Sequence, residues 1–337
     1  MEKTDIQELV QHGTLYNQAF DRNIQETHIS WVVFTADFAL KIKKPVKLSF
    51  LDFSTLELRK YFCEQEVTLN SRFSDIYLAV VALGLDGEKW VIENGKQTVL
   101  DYGVVMIRQK DSLRMDHLLS KKKVSQEAIC QLARQVADFH NDAGVISTPF
   151  HLIGAKGLFR DLRSISGNFK ITDSEWPDFI EDAIRFSDEF LTKNQNLFIT
   201  RAKAGQIRDV HGDLHSRNIF MNPEPVIFDC IEFNATFRQI DVWYEVAFLC
   251  MDMEFYGHLE LSEVFFNEYN NYKGELVTKE NRRIFIYFKL LRANVRAKVL
   301  ALEDSQGNSP KSNKGNLSDS IRYLQLMREY IKELGKS

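Results

Sequence analysis

Apolar and polar residues follow two different periods along this chain. Up to about residue 109, short apolar runs rich in β-branched and aromatic residues are bounded by turn residues, the mark of strands. "HISWVVFT" and "FALKIKK" predict two strands around a turn at Ala36 and Asp37, and "YLAVVALGL" and "KWVIENGKQTVLDYGVVMIRQ" predict later ones. Between these groups "STLELRKYFCEQEVTLNSRF" has apolar residues at helical spacing, with Ser54 placed to cap the helix.

After Gln109 the period is helical. "SQEAICQLARQVADFHNDAG" predicts a helix capped by Ser125 and ended by Gly144, and further helical patterns cover Ser174 to Asn194, Lys279 to Glu303 and Leu317 to Leu334. The polar stretch "EDSQGNSPKSNKGN", Glu303 to Asn316, predicts a mobile loop between the last two helices. No internal repeat is present. The pattern predicts an α+β protein of two lobes, a small strand-rich one over residues 1–108 and a larger helical one over residues 109–337.

Composition narrows the partners. A chain of 337 residues, 44% of them hydrophobic, has material for an ordinary core in two domains or in one domain of two lobes. A net charge of -4 argues against nucleic acid, whose binders carry a basic field, and leaves small molecules or proteins as partners. No run of 18 apolar residues predicts a membrane span, and "MEKTDIQELVQHG" lacks the zones of a signal peptide, so a cytoplasmic protein is expected. Cys63, Cys130, Cys230 and Cys250 form no CxxC pair and read as small apolar side chains rather than as a zinc site or disulfides.

The chemistry concentrates in "VHGDLHSRNIFMNPEPVIFDCIEF", Val210 to Phe233. Two short apolar runs, Ile219 to Met221 and Val226 to Phe228, flank "NPEP", a turn sequence. Antiparallel pairing of those runs would set Asn218 beside Asp229. An amide carbonyl and a carboxylate are hard oxygen ligands of the kind magnesium accepts when phosphate oxygens and water complete its shell. Asp213, five residues before Asn218, is placed to take a proton from an attacking hydroxyl or to orient it. One base and two metal ligands are what phosphoryl transfer requires.

"HGDLHSRNIF" resembles the catalytic loop, and "VIFDCIEF" the metal-binding strand end, of the aminoglycoside phosphotransferase-like kinases, a family of small-molecule kinases that includes choline kinases. The resemblance runs over about residues 27–253. It is greatest to a group of predicted phosphotransferases that are sometimes fused to a C-terminal P-loop domain. It implies a bilobal protein kinase-like fold, with one helix in the sheet lobe. It implies an ATP-dependent transfer of phosphate to the hydroxyl of a small-molecule acceptor. Asp213 would be the base, Asn218 and Asp229 the Mg2+ ligands, His211 a structural histidine, and Asp241 a buttress of the loop. Glu232 and Glu245 would join that network or, as exposed carboxylates more often do, be solvated or brace the core.

In the first lobe the Ala-x-Lys arrangement Ala39-Leu40-Lys41 offers the cation for the nucleotide phosphates, with Lys43 on the same face as fallback. Of the helical carboxylates Glu64 and Glu66, Glu66 is favoured because "EVTLNSRF" resembles the family's helix. There is no GxGxxG and no GxxxxGK[ST]. The polar loop "ETHIS" resembles the glycine-poor loops of some of these kinases and would place Thr27 or Ser30 on the phosphates. Met106 to Arg108 fall at the family's linker, whose backbone meets the base.

Three rivals stand against this reading. His211, Asp213 and His215 would share one face of a strand and suit a metal hydrolase. The lack of a glycine loop suits a nucleotide-binding pseudokinase that turns nothing over. A protein kinase is disfavoured by the absence of DFG and APE sequences. In the second lobe Lys289, Arg292 and Arg296 share a helix face, which reads as solvated and paired with acidic neighbours, or more sharply as reaching an anionic acceptor through Arg292 or Arg296.

Overall fold

The first unit of the chain is built on one antiparallel sheet. In the computed structural model, which describes residues 1–93, 95, 97–169, 175–305 and 313–336, it comprises Met1–His117, His211–Asp213 and Arg217–Arg238. Strands β1 (Ile24–Glu26), β2 (Ser30–Phe34), β3 (Phe38–Lys43), β4 (Tyr77–Asp86), β5 (Lys89–Ile92) and β6 (Thr98–Ile107) lie in the order β1-β2-β3-β6-β4-β5. Helices α1 (Lys3–His12) and α2 (Leu56–Asn70) belong to this unit, so the sheet carries two helices where one was expected.

Side-chain alternation sends each strand's residues into two cores. Leu40 and Ile42 of β3 join Trp31, Val33, Leu83 and Val105 and the α1 residues Ile6 and Leu9. Ala39 enters the other core with Val104, Met106 and Cys63 of α2. Against that second core pack Val226 and Phe228, near the hairpin of β7 (Ile219–Met221) and β8 (Pro225–Ile227).

The second unit, Leu118–Val210 with Leu214–Ser216 and Gln239–Ser337, is mainly helical. Its long helices are α3 (Gln126–Asp142), α4 (Glu175–Lys203), α5 (Val242–Phe255), α6 (Leu259–Lys273), α7 (Lys279–Ser305) and α8 (Asn313–Gly335). Ser125 caps α3 by accepting from the Ala128 N–H at 3.2 Å. The α5 segment is apolar nearly all round and is buried along most of its length, as a central helix must be. No helix among the described residues is long and apolar enough to cross a membrane.

Three expected boundaries move. Thr55, not Ser54, caps α2, its hydroxyl accepting from the Leu58 N–H at 3.2 Å. Helix α4 runs past Asn194 to Lys203, while Ser174 lies outside the described residues. The ends of the polar stretch at Glu303 to Asn316 are helical, since α7 reaches Ser305 and α8 begins at Asn313; residues 306–312 lie outside the described residues.

Candidate active site

Lys41 and Lys43 lie two apart on β3 and therefore face the α2 side with Ala39. On that side α2 offers Glu66, which is fully buried. Glu66 Oε1 lies 2.8 Å from Lys41 Nζ, and Glu66 Oε2 accepts from Lys43 Nζ at 2.6 Å. Each lysine has a second carboxylate. Lys41 Nζ donates to Asp229 Oδ1 at 2.6 Å, and Lys43 Nζ donates to Glu232 Oε1. Two cations and three anions thus form one line: Asp229, Lys41, Glu66, Lys43, Glu232.

The line is open at one end only. The Asp229 side chain is 43% exposed and that of Lys41 13%, whereas Lys43 keeps 1% and Glu232 4%. Lys41, not Lys43, is therefore the lysine that reaches solvent.

Electrostatics favour the charged forms of Lys41 and Glu66 and weaken that of Glu232. Burial alone would raise the Glu66 carboxyl, but the ammonium groups of Lys41 and Lys43 outweigh it and bring the pKa down to about 2. Burial likewise works against the charge of Lys41, and Asp229, Glu66 and Glu232 together overrule it, so its pKa lies well above that of an ordinary lysine. Glu232 is pushed up by burial and by nearby Glu66, against the pull of Lys43.

The segment bearing Asp229 is fastened to β4 and to α2. The Asp229 N–H donates to the Tyr77 hydroxyl at 2.9 Å, and the Cys230 N–H to Asn70 Oδ1 at 2.8 Å. Asn70 in turn donates to the Glu66 carbonyl at 2.8 Å. Asp229 itself has φ 65, a left-handed conformation that a non-glycine residue adopts only where its surroundings hold it.

The β7–β8 register departs by one from the expected pairing. Ile219 faces Ile227 and Met221 faces Pro225, so the turn holds three residues, Asn222 to Glu224, instead of four. The Phe228 N–H then donates to the Asn218 carbonyl at 3.1 Å, so Asn218 faces Phe228, and Asp229 lies one residue beyond.

Asp213 and Asn218 meet directly. Asn218 Nδ2 donates to the Asp213 carbonyl at 3.0 Å and to Asp213 Oδ2 at 3.1 Å. Both partners only accept, which sets the amide's orientation and points its carbonyl oxygen elsewhere. His211 is committed to the backbone. Its Nε2 donates to the Phe228 carbonyl at 2.9 Å, and its Nδ1 accepts the Asp213 N–H at 3.2 Å, which makes it neutral with the proton on Nε2. Gly212 between them has φ 87, and a Cβ there would lie 2.7 Å from the Phe237 carbonyl oxygen.

The strand face on which the hydrolase reading depends does not form. Residues 210–216 form no strand, His211 is spent on Phe228, and among the described residues no group of three His, Cys, Asp or Glu side chains is arranged to hold a metal.

The other residues singled out in the sequence make bonds within the protein. The Thr27 and Ser30 hydroxyls lie 2.9 Å apart and close the β1–β2 turn, with Ser30 buried. The Arg108 N–H, expected near a base, donates to the Asp37 carbonyl at 2.8 Å, and its guanidinium pairs with Asp21. Met106 is a buried strand residue of β6. Asp241 does not buttress the loop: its carboxylate takes the Arg201 guanidinium at 2.7 and 2.6 Å and caps α5 through the Trp243 N–H. Asp252 does so instead, accepting from both the Ser216 N–H, at 2.9 Å, and the Ser216 hydroxyl. Glu245 is buried and bonds His140 Nε2 at 3.0 Å.

The cationic face of α7 is not solvated. Lys289 and Arg292 are buried, Lys289 donating to Glu254 at 2.8 Å and Arg292 to the Tyr244 carbonyl at 3.1 Å while stacking on the Tyr244 ring. The Arg296 guanidinium lies 5.9 Å from the centre of the Tyr323 ring.

No family model matches this chain. At 30% identity over 323 residues it is similar to uncharacterised proteins of Mycobacterium tuberculosis and Mycobacterium bovis. The match takes in 92% of this chain but 59% of theirs, so the chain spans about three-fifths of the length of these curated relatives.

Solved structures align along nearly the whole chain. A choline/ethanolamine kinase family protein from Mesorhizobium loti superimposes with a TM-score of 0.55 at 10% identity, covering 100% of both chains. The chain has the aminoglycoside phosphotransferase and choline kinase-like fold. The same kinase-like fold matches aminoglycoside 2'-phosphotransferase-IIIa, solved with GDP, at a TM-score of 0.54 and 14% identity over 98% of each chain. It also matches a Plasmodium vivax ethanolamine kinase at 0.52 and 12%, over 94% of this chain and 85% of that one.

Proposed function

We propose that the protein is an ATP-dependent phosphotransferase that moves the γ-phosphate to a hydroxyl of a small molecule. The observation that carries this reading is the position of Lys41, a charged lysine held between the buried Glu66 and the half-exposed Asp229 in a chain with the small-molecule kinase fold. Such a lysine, kept in place by a helical carboxylate, is the group phosphoryl transfer uses to neutralise nucleotide phosphates.

The donor set fits Mg2+. Asp229 supplies a carboxylate that reaches solvent, and Asn218 an amide carbonyl whose nitrogen is already engaged by Asp213. Both are hard oxygen ligands. Bound there, the ion would neutralise charge on the transferring phosphate. Asp213 is the candidate base: the Asn218 amide holds its Oδ2, and the His211 ring holds its backbone, so the carboxylate is aimed before an acceptor hydroxyl arrives. Lys41 would hold the α- and β-phosphates.

The test is ATP binding with and without Mg2+, with phosphate transfer followed against pooled sugars, aminoglycosides and amino alcohols. Asp213→Asn should lower the transfer rate by about 10²- to 10⁴-fold with nucleotide affinity retained. Transfer unaffected by that change removes Asp213 as base. Mg2+-dependent binding with no transfer to any acceptor favours the pseudokinase, which the hydroxyl-closed turn at Thr27 and Ser30 in place of a glycine loop supports.

A further inference from the structure

We propose that Lys43 and Glu232 are positioning residues for this site: a second, buried ion pair that holds one oxygen of Glu66 so that the other stays on Lys41. The inference rests on the role proposed above for Lys41.

Burying two more charges is not a route to stability, because the desolvation they suffer at best balances their attraction, and apolar residues of similar size do as well or better. Apart from its two carboxylates, Lys43 has apolar neighbours. The Lys43 ammonium lies 4.9 Å from the centre of the buried Phe53 ring, and next to it the Cys63 thiol is pushed up to about 12 by burial. The charge at position 43 therefore calls for another reason.

Glu66 supplies one. The terminal torsion of a glutamate is broad, so a carboxylate paired with a single cation is free to turn. Lys43 on Oε2 removes that freedom and leaves Oε1 facing Lys41. Glu232 then satisfies Lys43, which would otherwise draw Glu66 wholly to itself. Glu232 also comes three residues after Asp229, so this short segment is tied at both ends, Asp229 to Lys41 and Glu232 to Lys43, with the Cys230 N–H on Asn70 between. The lysine and the candidate metal ligand are thereby held in one register.

Two readouts test this, the first independent of catalysis. Competitive acetylation of the native protein, read by mass spectrometry at Lys41 over the alkaline range, follows the free amine of that residue. Glu232→Gln removes a negative charge from the line and should raise Lys41 labelling at fixed pH about tenfold, the change made by one pKa unit. Lys43→Met removes a positive charge and should lower it. Opposite shifts are a signature that mere loosening of the core does not produce; equal or parallel shifts overturn the inference.

The second readout is the paired variant Lys43→Met with Glu232→Gln, which removes both members of the second ion pair together and so leaves neither of them buried without the other. With Glu66 held on one side only, the KM for MgATP should rise about tenfold while kcat falls less. A paired variant with wild-type KM, whatever its melting temperature, overturns the positioning role. Wild-type protein and Asp213→Asn run alongside: absence of nucleotide binding and transfer in the wild type sinks the proposed function, while the labelling still decides the charge coupling to Lys41.

Discussion

The two units bury charge in opposite ways. In the helical unit Glu254 and Asp241 each have a cation of their own and further donors on their carboxylates: Glu254 accepts from Lys289 at 2.8 Å, from the Ser262 hydroxyl at 2.6 Å and from the Tyr330 hydroxyl. Asp241 is closed likewise by the Arg201 fork and the Trp243 N–H. In the sheet unit the cations are shared, Lys41 and Lys43 each lying between two carboxylates, and one anion, Asp229, faces solvent. A closed network fastens helices, here α5, α6, α7 and α8 through Glu254. An open one keeps a carboxylate and a cation able to exchange partners, which is what a ligand site requires.

The sharpest break of this comparison sets Lys41→Met against Glu254→Ala. Removing Lys41 should lower phosphate transfer by about 10²- to 10³-fold, as loss of one charge-stabilising donor does. It should hardly move the urea midpoint, because Glu66 keeps Lys43 and Asp229 is half exposed. Removing Glu254 strands the buried Lys289 and should cost about 3–5 kcal/mol of stability, with KM for nucleotide unchanged in the fraction that folds. If Lys41→Met unfolds the protein while Glu254→Ala spares it, the roles of the two networks are reversed.

Two glycines sharpen the same contrast. Gly274 ends α6 at φ 66 with nothing within 4 Å of where a Cβ would stand, so Gly274→Ala should cost only the left-handed penalty of about 1 kcal/mol. Gly212, at φ 87, would press a Cβ to 2.7 Å from the Phe237 carbonyl oxygen. Gly212→Ala should therefore cost about 1–3 kcal/mol and also lower kcat, since Asp213 follows it directly. Thermal melts and steady-state rates on the pair measure both; equal melts with equal activity would make Gly212 an ordinary turn glycine.

Acid separates the units by pH. His140 in α3 is fully buried between Glu245 and the Tyr269 hydroxyl, and burial lowers its pKa from the ordinary 6.5 in spite of Glu245. A base with a depressed pKa in the folded state contributes its stability above pH 6.5 and loses it as the pH falls from there toward the folded value. Glu66 is a carboxyl held at about 2 instead of 4.5, so its contribution is complete above pH 4.5 and is lost only on going down toward pH 2. Hydrogen exchange followed down the pH scale should show the helical unit loosening first, and His140→Gln should remove that early phase. Simultaneous loosening in wild type and variant would show that His140 does not set it.

These networks also mark how far the sequence could be read. The strands, α2 and the hairpin announce themselves because period, caps and turn residues are local. Asp213, Asn218 and Asp229 were nameable because they lie in one short segment. The partner of Lys43 was not, since Glu232 is 189 residues away and nothing near it signals a buried lysine. Nor was Asp252 as the support of Ser216, 36 residues on, while the nearer Asp241 had the right type and went to Arg201. Lys289 and Arg292 repeat at the spacing of a solvated helix face, and only the rings of Phe285, Tyr330 and Tyr244 folded over them make that face internal. The hairpin's register slipped by one because turn sequence predicts that a turn forms better than how many residues it holds.

The smallest effect lies where two adjacent hydroxyls compete for one cap. Ser54 and Thr55 both precede α2, and both residue types serve as caps. The chain direction decides between them: the Ser54 hydroxyl and N–H are drawn back to Asp52 Oδ1 at 2.5 and 3.0 Å, which leaves Thr55 to accept the Leu58 N–H. Thr55→Ala should cost about 1 kcal/mol, and because α2 carries Glu66, it should loosen Lys41 enough to raise its acetylation. Ser54→Ala loses only an exposed turn contact and should change neither stability nor labelling measurably. A larger loss from Ser54→Ala than from Thr55→Ala would move the start of α2 back one residue, and with it the register in which Glu66 meets the two lysines.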